Sequence, residues 1–280
     1  MKLIQRLSRK LTRTVKAQTA AAPTPQISLR YWRPADGHRN FGDELGRVVS
    51  TLMLARQGIT TEDESLRQCH LLSVGSILHF AQDGDVIWGS GRNGKVDADK
   101  HVWTQLDVRA VRGPLTRNFL AERGIFCPEI YGDPALLLPG LLPLRKTEAQ
   151  HEIGFVPNLN DLKHRVVDPD DIIRQGMHLI SPYLPWRQAI KEIISCRTIV
   201  SSSLHGMAIA EAYGIDACLV RLSQHEPPFK YLDYFAGTQR PEHYIAETVP
   251  DARAAVGGLA PLSFDPEPLK AAFPYDLWQA

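Results

Sequence analysis

None of the four cysteines, Cys69, Cys127, Cys196 and Cys218, has a second within CxxC distance. That excludes a zinc ribbon, a dithiol redox motif and a disulfide framework, and it fits a reducing cytoplasm. No apolar run approaches the roughly 18 residues of a membrane-spanning helix. The chain has no G-x-G-x-x-G, no G-x-x-x-x-G-K-[ST] and no G-x-S-x-G, so a dinucleotide site, a P-loop and a hydrolase elbow lack support. No His, Cys or Asp cluster has metal-ligand spacing. Neither a metal nor a redox cofactor is expected. The first 30 positions contain seven of the 32 basic residues and none of the 31 acidic ones. The body is therefore net acidic, which argues against a nucleic-acid partner.

What is present is ordinary for an enzyme. The 280 residues are 44% hydrophobic and 22% charged, enough for one large or two modest domains. Residues 1–26 read as a basic leader and linker. Leu3, Ile4, Leu7, Leu11 and Val15 form one helical stripe among bases, and Thr19–Pro25 follows as a linker. The leader lacks the continuous apolar core of a signal peptide. It reads either as a surface helix for an anionic membrane or as a solvated or body-docked helix.

Strand and helix patterns then alternate. Strands are expected at Ile27–Trp32, Leu71–Gly75, Asp85–Trp88, Val108–Val111 and Glu129–Tyr131. Helices are expected at Glu44–Gln57 and after Val111, where Pro114 opens and Gly124 closes the pattern. Residues 141–150 look like a connector. The alternation restarts with strands at Glu152–Val156, Gly176–Ile180, Thr198–Val200 and Ala217–Leu222. Helices are expected at Arg187–Ser195, Ala208–Tyr213 and Phe229–Phe235, with a helical, proline-broken C-terminal part. This predicts an α/β protein of two halves with parallel sheets, residues 27–145 and 146–280, and a cleft between them.

Polar signatures sit at the expected strand ends, the side on which parallel sheets bind ligands. They include Asn40 and Asp43, the Gly89–Gly94 loop with Arg92, Arg112 before a helix, Asp133 in a Gly-Asp-Pro turn, and Ser202, Ser203 and His205. His205 reads as a proton-transfer group at neutral pH or as a helix cap. Arg92 is an anion ligand or part of a plain turn. Arg112 is an anion ligand at a helix start or a surface ion pair. Asp133 is a ligand or a turn former. Glu211, six residues beyond His205, holds a ligand hydroxyl or faces solvent.

Taken together, NFGDEL (Asn40–Leu45), the SVGS and GSGR turns, VRGPLT (Val111–Thr116), GDPALLLP (Gly132–Pro139) and SSLHGMAIAEAYG (Ser202–Gly214) resemble the polysaccharide pyruvyl transferases. The opening looks most like the exopolysaccharide ketalases of the succinoglycan type. The resemblance spans Ile27 to Asp233. It implies two Rossmann-like domains arranged as in GT-B glycosyltransferases. It also implies phosphoenolpyruvate as donor and a sugar hydroxyl pair, usually on a lipid-linked oligosaccharide, as acceptor. The family often has Arg-Leu-His-Gly where this chain has Ser203-Leu204-His205-Gly206, so another base must meet the donor's charge, with Arg112 and Arg92 as candidates. His205 is then the acid/base, and Asp43, Asp133 and Glu211 orient the acceptor or support the loops. The expected location is cytoplasmic, at or near the inner face of the membrane. Two other readings are a GT-B-like nucleotide-sugar glycosyltransferase with Glu211 on a ribose, and a non-catalytic polysaccharide-biosynthesis binding protein.

Overall fold

In the computed structural model, described over residues 25–144 and 148–278, two all-parallel sheets are flanked by helices. The first contains β1 (Ile27–Arg30), β2 (Cys69–Leu72), β3 (Val86–Trp88) and β4 (Asp107–Ala110) in the order β1-β2-β3-β4. The second contains β5 (His151–Val156), β6 (His178–Leu179), β7 (Cys196–Ser201), β8 (Asp216–Val220) and β9 (Ile245–Ala246), ordered β6-β5-β7-β8-β9. All three residues of β3 are fully buried, as expected of a parallel strand covered on both faces. The anticipated strand at Glu129–Tyr131 is reduced to one parallel bridge between Val111 and Tyr131. Pro134 then opens a 3₁₀ turn, Pro134–Leu137, capped by Asp133.

The helices of the first half are α1 (Phe41–Ala55), α2 (Pro114–Ala121) and α3 (Leu138–Leu141). Those of the second are α4 (Leu159–Lys163), α5 (Pro169–Arg174), α6 (Trp186–Ile194), α7 (Leu204–Ala212), α8 (Phe229–Gly237), α9 (Val249–Ala255) and α10 (Glu267–Ala271). Helix α1 buries Leu45, Val49 and Met53, the stripe expected of period 3.6. Helix α7 is apolar on every side, with Leu204, Met207, Ala208, Ile209 and Ala210 all buried. It needs that character because it lies between β7 and β8 on one side and the Pro134–Leu137 turn on the other. One apolar cluster therefore runs from Ile27 and Leu45 in the first half to Met207 and Phe235 in the second. The stretch after β5 winds into helix α4, whose start is capped by Asn158 accepting from the Asn160 N–H.

The halves touch most closely where α8 meets the start of α2. A Cβ on Gly113 would lie 1.8 Å from the Asp233 carbonyl oxygen, and one on Gly237 would lie 2.1 Å from the Arg112 carbonyl oxygen. Only glycine permits that approach. The C-terminal segment leaves the second half and returns to the first. The Trp88 indole N–H donates to the Leu269 carbonyl (2.8 Å), Tyr275 Oη donates to the Met53 carbonyl (2.8 Å), and Arg109 pairs with Asp276 (2.8 Å). The sequence expectation of a simple division after residue 145 does not anticipate this return.

Candidate functional site

In the second sheet the chain leaves β5 toward β6 and comes back past β5 to β7. The loops at the C-terminal ends of β5 and β7 thus flank the point where strand order reverses, the preferred ligand position in open α/β sheets. A pocket of about 230 Å³ opens there, lined from the second half by Asn158, Asn160, Ser203, His205, Glu226 and Lys230. The first half closes its other wall with Trp32, Asn40, Asp43, Ser76, His79 and Lys95.

Asn40, Asp43, Ser203 and His205 are delivered by helix starts. Ser203, with φ −96° and ψ 128°, is the N-cap of α7, but its side chain does not cap the helix. The first-turn N–H groups of a helix lack intrahelical acceptors and carry a partial positive charge. In α7 they lie at the pocket wall. His205 stands in that first turn rather than on the preceding loop, because the helical apolar pattern already begins at Leu204. Its side chain is 12% exposed and packs against the start of α1, where a Cβ on Gly42 would lie 2.5 Å from Nδ1. Its Nε2 faces Asp133 Oδ2 at 3.6 Å. Asp43, one residue after Gly42, accepts from the Asn40 side-chain amide (2.5 Å). Burial pushes the Asp43 carboxyl up from 3.8 to about 6, against the opposing pull of His205 and Lys230.

The cations at the pocket are lysines that sequence reasoning passed over. Lys95 and Lys230 both reach Glu226, at 2.5 Å to Oε2 and 2.5 Å to Oε1. Burial opposes ionisation of Glu226, but Lys230 and Lys95 outweigh it and hold its carboxyl below the usual value. Two positive heads thus share one carboxylate on the wall beside His205. The only sequence signal for Lys95 was its place directly after the glycine-rich loop. Lys230 in the first turn of α8 carried none.

The structure brings Asn40, Asp43, Ser203 and His205 together and sets Asp133 behind the histidine. It places the remaining candidates elsewhere. Arg112 is 1% exposed. Its guanidinium is spent on Asp233 (Nε 3.0 Å, Nη2 2.9 Å), Ser76 Oγ (2.5 Å) and the Arg92 carbonyl (2.6 Å). It is neither a surface ion pair nor at the pocket wall. The anion-binding expectation therefore gives way to a buried clamp between the halves. Arg92 stacks its guanidinium 4.4 Å from the Phe119 ring centroid and 5.3 Å from that of Phe229, again away from the wall. Ser202 is buried and shapes the loop, its Oγ accepting from the Asn158 N–H (2.8 Å). Glu211 points to the far end of α7, where it pairs with Arg240 (2.5 Å) and accepts from Tyr234 Oη (2.6 Å). Among the described residues, no group of three or more His, Cys, Asp or Glu side chains is placed to hold a metal ion. No described helix is long and apolar enough to cross a membrane. The basic leader lies outside the described residues.

Comparison with known proteins agrees with the motif pattern. Residues 86–223 match the family described as polysaccharide pyruvyl transferase. The succinoglycan biosynthesis protein ExoV of Rhizobium meliloti is 27% identical over 234 residues, covering 79% of this chain and 69% of ExoV. An uncharacterized protein of Acanthamoeba polyphaga mimivirus is 23% identical over 216 residues, covering 73% of each chain. A crystal structure of a functionally uncharacterized Klebsiella pneumoniae protein aligns with a TM-score of 0.48 at 11% identity, over 80% of this chain and 94% of that one. With the histidine-bearing start of α7 and the GSGR, VRGPLT and GDPALLLP turns all inside the matched region, the chain belongs to the polysaccharide pyruvyl transferase family.

Proposed function

We propose that this chain moves a pyruvyl group from phosphoenolpyruvate to a hydroxyl pair of a sugar in a polysaccharide intermediate, forming a cyclic ketal and releasing phosphate. The observation that carries the reading is the pocket itself. One histidine at a helix N-terminus, two lysines and a shared wall from both sheets converge there. We read the two sheets as Rossmann-like units facing across this pocket in the GT-B manner.

The donor brings a phosphate and a carboxylate. Lys95, Lys230 and the N–H groups opening α7 supply the opposing charge, in place of Arg112 and Arg92 and of the arginine that Ser203 replaces. His205, protonated, delivers a proton to the methylene carbon, which makes the neighbouring carbon electrophilic. One sugar hydroxyl adds there and returns its proton to the imidazole. The second hydroxyl then forms the other C–O bond. The bond to phosphate breaks with its electron pair, and the last proton leaves with the phosphate. Preorganised cations at the departing phosphate lower the barrier of that step. Asp43 and Asn40 lie on the opposite wall, where they meet the acceptor's hydroxyls. The nucleotide-sugar reading loses its ribose ligand, since Glu211 is held by Arg240 away from the pocket.

Purified protein given phosphoenolpyruvate and an exopolysaccharide oligosaccharide should release phosphate and add a ketal-linked pyruvate to the sugar. His205→Ala should cut turnover by about 10²-fold or more, the usual scale for a general acid. Donor affinity should move far less. Unchanged turnover in the variant removes His205 from the mechanism. Transfer from a nucleotide sugar instead of phosphoenolpyruvate overturns the donor assignment. The natural acceptor is proposed to be lipid-linked, with the enzyme held by its basic leader at the inner face of the membrane.

A further inference from the structure

The GDPALLLP turn puts Asp133 in an unusual position. It is fully buried, yet its two carboxylate oxygens have different fates. Oδ1 accepts from the Ala135 N–H (3.0 Å) and caps the Pro134–Leu137 turn. Oδ2 has no hydrogen-bond partner, and the group facing it is His205 Nε2, which has none either. Buried polar atoms are seldom left unpaired, because each orphan costs about 1–3 kcal/mol. Two orphans of complementary chemistry, 3.6 Å apart, share one explanation. A proton on Nε2 would sit between them. The gap slightly exceeds an ideal hydrogen bond, as is common at catalytic groups before substrate is bound. The contact joins the halves, since Asp133 comes from the first and His205 from the second. It is held by the packing of α7 on the 3₁₀ turn.

We propose that Asp133 is the positioning residue for His205. Its Oδ2 accepts from Nε2–H and fixes the imidazole tautomer, so that Nδ1, on the ring edge beside Gly42, is the nitrogen that exchanges a proton with substrate. Asp133 itself acts only as an acceptor. It takes no proton and touches no reacting atom. Its acceptor keeps the ring from rotating between proton delivery and return. This rests on the proposed role of His205 in pyruvyl transfer, but the tautomer claim is testable without turnover.

The informative substitution is Asp133→Asn. Asparagine keeps a carbonyl oxygen for the Ala135 N–H, so the turn retains its cap. The amide NH₂ is then turned toward His205, and Nε2 must become the acceptor. Nitrogen-15 NMR of histidine-labelled protein at about pH 8, where an ordinary imidazole is neutral, reads the tautomer directly. Wild-type His205 should carry its proton on Nε2, and in Asp133→Asn the proton should move to Nδ1. The variant's kcat should fall about 10²-fold or more, as when a carboxylate that holds a catalytic histidine is neutralised. The KM for phosphoenolpyruvate should change less than about threefold. A wild-type Nδ1–H tautomer, or one that Asp133→Asn leaves unmoved, overturns the proposal. Should the variant not fold, the wild-type tautomer decides alone. Full turnover by His205→Ala with the expected tautomer present refutes the catalytic reading and leaves the pairing intact, so the two failures are distinguishable.

Discussion

Replacing Arg112 with methionine separates the two roles available to that residue. The substitution removes a buried guanidinium that holds Asp233, Ser76 Oγ and the Arg92 carbonyl. Removing one partner of a buried pair costs about 3–5 kcal/mol, mainly because the other charge is left uncompensated. Asp233 is not wholly abandoned. It keeps the Thr116 N–H (2.9 Å) and Thr116 Oγ1 (2.6 Å). The loss should therefore fall at the lower end, about 3 kcal/mol. At about 2–4 °C per kcal/mol for a chain of this size, the melting temperature should drop by roughly 6–12 °C. Asp233→Leu should cost more, since it strips Arg112 of its counter-charge and Thr116 of its two bonds to that carboxylate. The double variant Arg112→Met/Asp233→Leu should recover part of the loss, because burying neither charge is cheaper than burying one. Thermal and urea unfolding read these values, and steady-state kinetics well below the transition read the donor KM. A clamp predicts a large stability loss with the donor KM unchanged within about threefold. A melting temperature lowered by less than about 2 °C, together with a donor KM raised tenfold, would return Arg112 to the donor site and refute the argument.

Lys230→Met should raise the KM for phosphoenolpyruvate by about 10- to 100-fold, the scale of one lost charge-assisted hydrogen bond, and an unaltered saturation curve removes Lys230 from donor binding. Asp43, with its carboxyl raised to about 6, contributes stability that is full below the ordinary 3.8 and lost as pH rises through 6. Asp43→Asn should therefore gain stability relative to wild type between pH 4 and 7, by at most about 3 kcal/mol and nearer 1–2 with pocket water present, and a pH-independent difference in urea unfolding counts against a perturbed carboxyl. Deleting residues 1–22 should abolish co-sedimentation with anionic vesicles at low salt and spare activity on a soluble acceptor. Full-length protein that never pellets with such vesicles rules out a membrane anchor.

The sequence made the local devices readable and hid the long-range ones. Pro114 marked the start of α2, and the small apolar run at Ala208–Tyr213 marked α7, although that helix begins four residues earlier, at Leu204. The rule that parallel strand ends face one side correctly grouped Asn40, Asp43, Ser203 and His205. It failed for Arg112, because an arginine before a helix looks the same whether its partner is a ligand or an aspartate 121 positions away. Glu211 was misplaced for a simpler reason. Six residues along a helix carry a side chain about 9 Å toward the opposite end. The Lys95–Glu226–Lys230 group was invisible because 131 positions separate its two halves and neither lysine sits in a motif. Strand β9, two residues long, is too short for any periodicity to reveal, whereas the equally short β6 lies inside the strand expected at Gly176–Ile180.

The return of the C-terminal segment to the first sheet bears on how the protein is made. Trp88 is fully buried, and part of its cover is Leu269 and the Phe273 ring, 4.8 Å away edge-on. A ribosome finishes the first sheet and its helices long before it supplies that cover. From Leu144 to Leu269 is a wait of roughly 6–25 s at about 5–20 residues per second. Through that interval the underside of β3 waits bare, an adhesive face on a nascent chain. Holdase chaperones should therefore engage stalled chains that end between residues 144 and 265, and let go once Phe273 has emerged. For the same reason, a fusion placed immediately after Trp278 should lower the yield of folded protein.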